Sequence, residues 1–203
     1  ANVATGGIEQ DVTHEILTGP GPGAVFGPQV RAWDYDATSL RPISKVSFFA
    51  YATLRYGVGV AEGDVEADGR DEILTTPGPG VMFGAHVRGW NYDGQQLLAL
   101  GRINFTAFPV PQYGANAAGG DVDGDGFAEI AVAQGPGPTL PARLIGYGYD
   151  GSSIAALPGF DITPFATSFG ARPGFGGLSV ERAEELLTAA GPDPAASATI
   201  RIY

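Results

Sequence analysis

A period of 57 residues, an excess of glycine and proline, and short alternating apolar segments predict an all-β chain folded as a β-propeller of four-stranded blades. The period is carried by aromatics. Trp33, Trp90, Tyr147 and Tyr203 close the segments VRAW, VRGW, LIGY and IRIY, at steps of 57, 57 and 56 residues. A Gly/Pro-rich stretch precedes each aromatic: TGPGPGAVFGPQV, TPGPGVMFGAHV, QGPGPTLPARL and the weaker AGPDPAASATI. A third series, Tyr56-Gly57, Tyr113-Gly114 and Phe169-Gly170, recurs in the same phase. The 203 residues, with 32 Gly and 16 Pro, therefore read as one domain of four units, approximately 1–54, 55–111, 112–167 and 168–203.

Within the second unit, GVGVAEGD, EILTT, HVRGWNYD and RINFTAF each have the length and β-branched or aromatic content of a strand and are separated by turn residues. The small residues of 57–63 and 114–120 suit an inner strand, where blades converge on the axis. Residues 180–190 carry a mild helical period, yet they align with loop and strand in the other units and are read that way. The last unit is incomplete. It predicts a larger ring, a fragment, or an assembly in which another chain supplies a strand, because an uncovered edge pairs readily.

Charge and composition exclude several classes of function. A net charge of -11 with only 11 Lys and Arg is unsuited to a phosphate backbone, so nucleic acid is not an expected partner. No apolar run reaches membrane-spanning length, and no cysteine is present for a disulfide or a thiolate metal site. The chain opens at Ala1 with no secretory signal pattern, as a processed chain or a fragment would.

The clearest chemistry is acidic. The third unit reads GDVDGDGFAEI, placing Asp121, Asp123, Asp125 and Glu129 on alternate positions, with Gly124 and Gly126 for a tight turn and Phe127 offering a backbone carbonyl. Clustered carboxylates on a sharp turn are ligands for a hard cation, and Ca2+, with six to eight oxygen ligands, fits. The second unit repeats the pattern as Asp64, Glu66, Asp68, Arg70 (again through its carbonyl) and Glu72. The first (Gly7, Glu9, Asp11, Thr13, Glu15) and fourth (Gly177, Ser179, Glu181, Ala183, Glu185) lack the leading Asp and the turn Gly, and are expected to bind weakly or not at all.

With Tyr-Gly before an inner strand, a GD-x-D-x-DG-x-x-E loop and a GPGP segment after the next strand, the units resemble FG-GAP repeats, the family that includes the integrin α-subunit propeller. The resemblance spans nearly the whole chain, is closest in the second and third units, and fades in the fourth. It implies a structural calcium loop between the first two strands of a blade, with Asp121, Asp123, Asp125, Phe127 and Glu129, then Asp64, Glu66, Asp68, Arg70 and Glu72, at ligand positions. It also implies an extracellular or cell-surface location, which agrees with the millimolar-range affinity of many extracellular calcium modules.

No catalytic constellation is legible, and no enzyme activity is expected. His14 and His86 are the only histidines; His86 reads as a strand-surface residue. The expected function is a non-catalytic structural or protein-binding module of a secreted or cell-surface assembly. The alternative is a carbohydrate-binding propeller with Trp33, Trp90, Tyr147 and Tyr203 as stacking platforms, although aromatics at such positions more often pack between blades.

Overall fold

The computed structural model describes residues 1–11, 13–179 and 183–203, and among them there are fifteen strands and no helix. The strands form four antiparallel meanders arranged as four successive blades of a β-propeller. Blade one is β1 (Asn2–Gly6), β2 (Glu15–Gly19), β3 (Gln29–Tyr35) and β4 (Leu40–Phe49). Blade two is β5 (Val58–Gly63), β6 (Glu72–Pro77), β7 (His86–Tyr92) and β8 (Leu97–Thr106). Blade three is β9 (Ala115–Gly120), β10 (Glu129–Gln134), β11 (Ala142–Tyr149) and β12 (Ile154–Phe165). Blade four has three strands, β13 (Ala171–Gly176), β14 (Glu185–Ala190) and β15 (Ile200–Ile202), in agreement with its shortened sequence unit.

Position within the blade explains each strand's composition. The second strands β6 and β10 are buried along their whole length, and their EILTTP and EIAVAQ sequences are correspondingly apolar on both faces. The outer strands β4 and β8 are mostly exposed and carry Arg41, Lys45 and Arg102, charges that discourage edge pairing. The inner strands come so close that a Cβ on Gly119 would collide with the carbonyl of Glu62. Only glycine fits there.

The recurrent aromatic-glycine pair is a clasp. Tyr56, Tyr113 and Phe169 have φ of 65–67°, and the glycines after them 60–68°, a left-handed turn in which glycine is favoured. The turn aims two amides into the Gly/Pro-rich loop of the preceding blade: Tyr56 N donates to Gly23 O (2.8 Å) and Gly57 N to Phe26 O (2.8 Å). Tyr113-Gly114 does the same to Gly80 and Phe83, and Phe169-Gly170 to Gly137 and Leu140. The GPGP motif is thus a receptor for the next unit.

Three apolar clusters lie between consecutive blades and follow one pattern. The front face of blade one (Ile8, Leu17, Val30, Ala32) packs on the back face of blade two (Ile73, Tyr92, with Trp90 and Leu97 at its border). Val65, Leu74 and Val87 of blade two pack likewise on Ile130, Tyr147 and Tyr149 of blade three, and Ala131 and Leu144 of blade three on Leu186 of blade four. Two of the repeated aromatics belong to these seams. Trp90 lies 4.5 Å from Phe48 between ring centroids, and Tyr147 lies 4.6 Å from Phe105.

Candidate metal centres

Each acidic loop joins the first two strands of a blade and closes on a glutamate that opens the second strand. That glutamate ties down the start of its loop. Glu15 Oε2 accepts from Glu9 N (3.1 Å), Glu72 Oε2 from Val65 N (3.0 Å), Glu129 Oε2 from Val122 N (3.0 Å) and Glu185 Oε2 from Leu178 N (2.7 Å). In blades one to three the residue is buried, whereas Glu185 is only half-buried. The other oxygens, Glu15 Oε1 and Glu72 Oε1, are buried and have no hydrogen-bond partner.

The third loop gathers Asp121, Asp123 and Glu129, with one carboxylate oxygen from each lying within 4.8 Å of the others. Oxygens on one Ca2+ at 2.3–2.6 Å can be up to about 5 Å apart, so a single ion can touch all three. The loop amides brace the array: Gly124 N and Gly126 N donate to the two oxygens of Asp121 (2.7 and 3.0 Å), and Asp125 N to Asp123 Oδ1 (3.2 Å). Asp125 stays outside the trio, its Oδ1 accepting from Phe127 N (2.8 Å). Burial, reinforced by the neighbouring Asp123, Asp125 and Asp121, pushes the Glu129 carboxyl up to about 7.

The first loop, expected to be weak, brings together Glu9, Asp11 and Glu15 within the same 4.8 Å. Gly7 stands where the third loop has Asp121, and Asp11 enters the trio in its place. Thr13 holds Asp11 through its amide (2.8 Å) and its hydroxyl (2.7 Å), bonds that keep that carboxyl low. Burial pushes both Glu9 and Glu15 up.

The second loop, richer in acids by sequence, forms no such trio among the described residues. Its Asp64 is occupied by Asp68 N (3.0 Å) and Gly69 N (2.9 Å), and Asp68 Oδ1 by Arg70 N (3.0 Å). The decisive difference is Glu66. Its Oε2 accepts from Asn91 Nδ2 on β7 at 2.9 Å, a donor that competes with any cation for that oxygen. The positions matching Asn91 are Asp34 in blade one, which cannot donate to a carboxylate when ionised, and Gly148 in blade three, which has no side chain. Glu72 is nevertheless raised to about 8, first by burial and then by Glu66, Asp68 and Asp64. In the fourth loop, Glu181 lies outside the described residues; Gly177, Ser179, Ala183 and Glu185 are described and form no trio.

A second acidic group sits at the axial mouth, where the sequence drew no attention. Glu62 on β5 is pushed up to about 8 by burial and by nearby Asp71 and Glu184. Asp71 Oδ2 accepts from Gly7 N (2.6 Å) and Glu184 Oε2 from Asp121 N (3.2 Å), so each ties its blade to the acidic loop of the blade before. Main-chain bonds run alongside, from Asp71 N to Gly7 O, Ala128 N to Asp64 O and Glu184 N to Asp121 O. This position is His14, Asp71, Ala128 and Glu184 in the four units, so no residue type marks it. His86 rests on the strand surface with its Nε2 2.6 Å from Asn104 Oδ1. No protein-family model matches the chain, and no curated protein matches it.

Proposed function

We propose that the chain is a non-catalytic module of a secreted or cell-surface assembly, an FG-GAP-like propeller whose blades are stiffened by Ca2+ in their acidic loops and whose surface binds protein. The observation that carries this reading is the loop-closing glutamate, buried beside further carboxylates and in two blades left with an unpartnered oxygen. A buried carboxylate without a counter-charge costs several kcal/mol, and among the described residues no Lys or Arg bonds to any acid of the two trios. A cation supplies the missing charge. The donors are all oxygen, with neither sulfur nor imidazole in the trios, which favours a hard ion over zinc or copper.

The carbohydrate reading loses two of its platforms, since the Trp90 and Tyr147 rings are packed between blades. Protein contact is the better match.

Calorimetric titration of the metal-stripped chain with Ca2+ and with Mg2+, paired with thermal melts, tests the proposal. Binding of Ca2+ that raises the melting temperature and is lost from the third loop in Glu129→Gln supports it. A melt that ignores Ca2+ and chelator alike overturns it.

A further inference from the structure

The first and last blades each have one face that no other blade covers, and the two faces are the two halves of the seam that recurs three times inside the chain. On the back of blade one, Tyr35 is 52% exposed, whereas Tyr92, its counterpart in blade two, is 5% exposed against the preceding blade. Val3 and Leu40 are exposed too, while their counterparts Val60 and Leu97 pack into the seam. On the front of blade four, Ile200 is 66% exposed where Val30 in blade one is fully buried. Leu178 and Ile202 are likewise exposed, at the positions of the buried Ile8 and Ala32. Among the described residues no main-chain hydrogen bond joins blade four to blade one, although every other consecutive pair is clasped by such bonds.

We propose that two copies of this chain associate head to tail, the front of blade four in each copy packing on the back of blade one in the other, to close a ring of eight blades. The occupant is a second copy because the seam is a property of the repeat. A front face built from Leu178, Ile200 and Ile202 presents large apolar groups at the positions that bury inside the chain, and the back face of blade one presents the tyrosine and leucine that receive them. Two such heterologous contacts related by a two-fold axis form a closed assembly, and eight blades fall within the range that propellers adopt. The same register brings the amide of His14, whose counterparts Asp71, Ala128 and Glu184 donate to the preceding blade, toward the carbonyl of Gly177 in the other copy. Exposed apolar patches of this kind mark interaction surfaces, and their burial drives association. The proposal deepens the reading of the chain as a protein-binding module but does not depend on calcium, so the experiment runs on metal-free protein and its failure leaves the cation reading standing.

Sedimentation equilibrium of the full chain, with the variants Tyr35→Glu and Ile200→Lys, provides the test. The wild-type chain should have twice the mass of a single chain, and each variant alone should revert to monomer with unchanged β-sheet circular dichroism. Mixing the two variants should restore a dimer, because one seam then pairs two unaltered faces and the other pairs Glu with Lys. A wild-type monomer at all concentrations, as expected if further blades of a longer chain cover these faces instead, overturns the proposal. So does a dimer that survives both variants, or one that only a single variant breaks, which would mean like faces meeting. Should a variant fail to fold, the wild-type chain still decides: its melting temperature must rise with protein concentration, and independence of concentration overturns the proposal.

Discussion

The first and second acidic loops arrange their carboxylates differently from each other. The second has the fuller complement of acids, yet its Glu66 is held by Asn91, whereas the first, with a glycine in place of the leading Asp, gathers Glu9, Asp11 and Glu15. One residue on the third strand of the blade differs in step with this arrangement. The amide of Asn91 bonds Glu66, whereas Asp34 and Gly148 offer no such donor to Glu9 and Asp123. Ligand count is therefore a poorer guide than the donors that compete for each ligand.

Four measurements would break or sharpen this comparison. The largest effect is expected from Glu129→Ala, which removes the glutamate of the best-formed trio. With Ca2+ at a hundredfold excess over its Kd a site contributes about 2.7 kcal/mol. At roughly 2–4 °C per kcal/mol for a domain of this size, melts should lose on the order of 5–10 °C of the calcium-dependent rise. An undiminished rise would move the dominant site elsewhere.

The next effect is in pH. Burial raises Glu72 and Glu129 above the ordinary glutamate value of 4.5, to about 8 and about 7. A raised carboxyl prefers its protonated form in the fold, so the metal-free protein keeps this stability below pH 4.5 and loses it as pH climbs through 7 and 8. Chelated protein should therefore melt lower at pH 8.5 than at pH 5.5, and the increment from added Ca2+ should grow over the same interval. A metal-free melting temperature that is flat or rises between those two pH values contradicts the burial of these groups.

A smaller change is expected from Asp34→Asn. It places a donor beside Glu9, as Asn91 stands beside Glu66, and should weaken the first loop by several-fold, about 1 kcal/mol, in calorimetric titration. The reverse change, Asn91→Ala, should release Glu66 and strengthen the second loop by a few-fold, under about 1 kcal/mol. If the two substitutions leave both affinities unchanged, the strand residue does not govern the loop.

The fold was largely legible in the sequence. The steps of 57, 57 and 56 residues between Trp33, Trp90, Tyr147 and Tyr203 located four blades, and the turn residues between short apolar segments located nearly every strand. The loops at 121–129 and 64–72 were equally visible as acidic turns. Less legible were the uses of the repeated motifs. The Gly/Pro-rich segments were visible as repeats, but not that Tyr56-Gly57 and its counterparts dock into them. Trp90 and Tyr147 admitted two readings until Phe48 and Phe105 were found against them. Glu62, Asp71 and Glu184 at the axial mouth carried no signal, because the unit varies at the clasping position from histidine to alanine.

Periodicity, strand length and the placement of carboxylates within one turn are properties of neighbours along the chain, and the sequence alone determines them. Tertiary structure decided which loops converge, because Asn91 reaches Glu66 across 25 intervening steps of sequence through the pleat of the sheet. It decided also which faces of identical units are covered: Tyr35 and Tyr92 occupy the same place in their repeats, and only the second has a blade behind it. A local pattern can specify a surface; whether that surface meets water or another blade depends on what the rest of the chain brings to it.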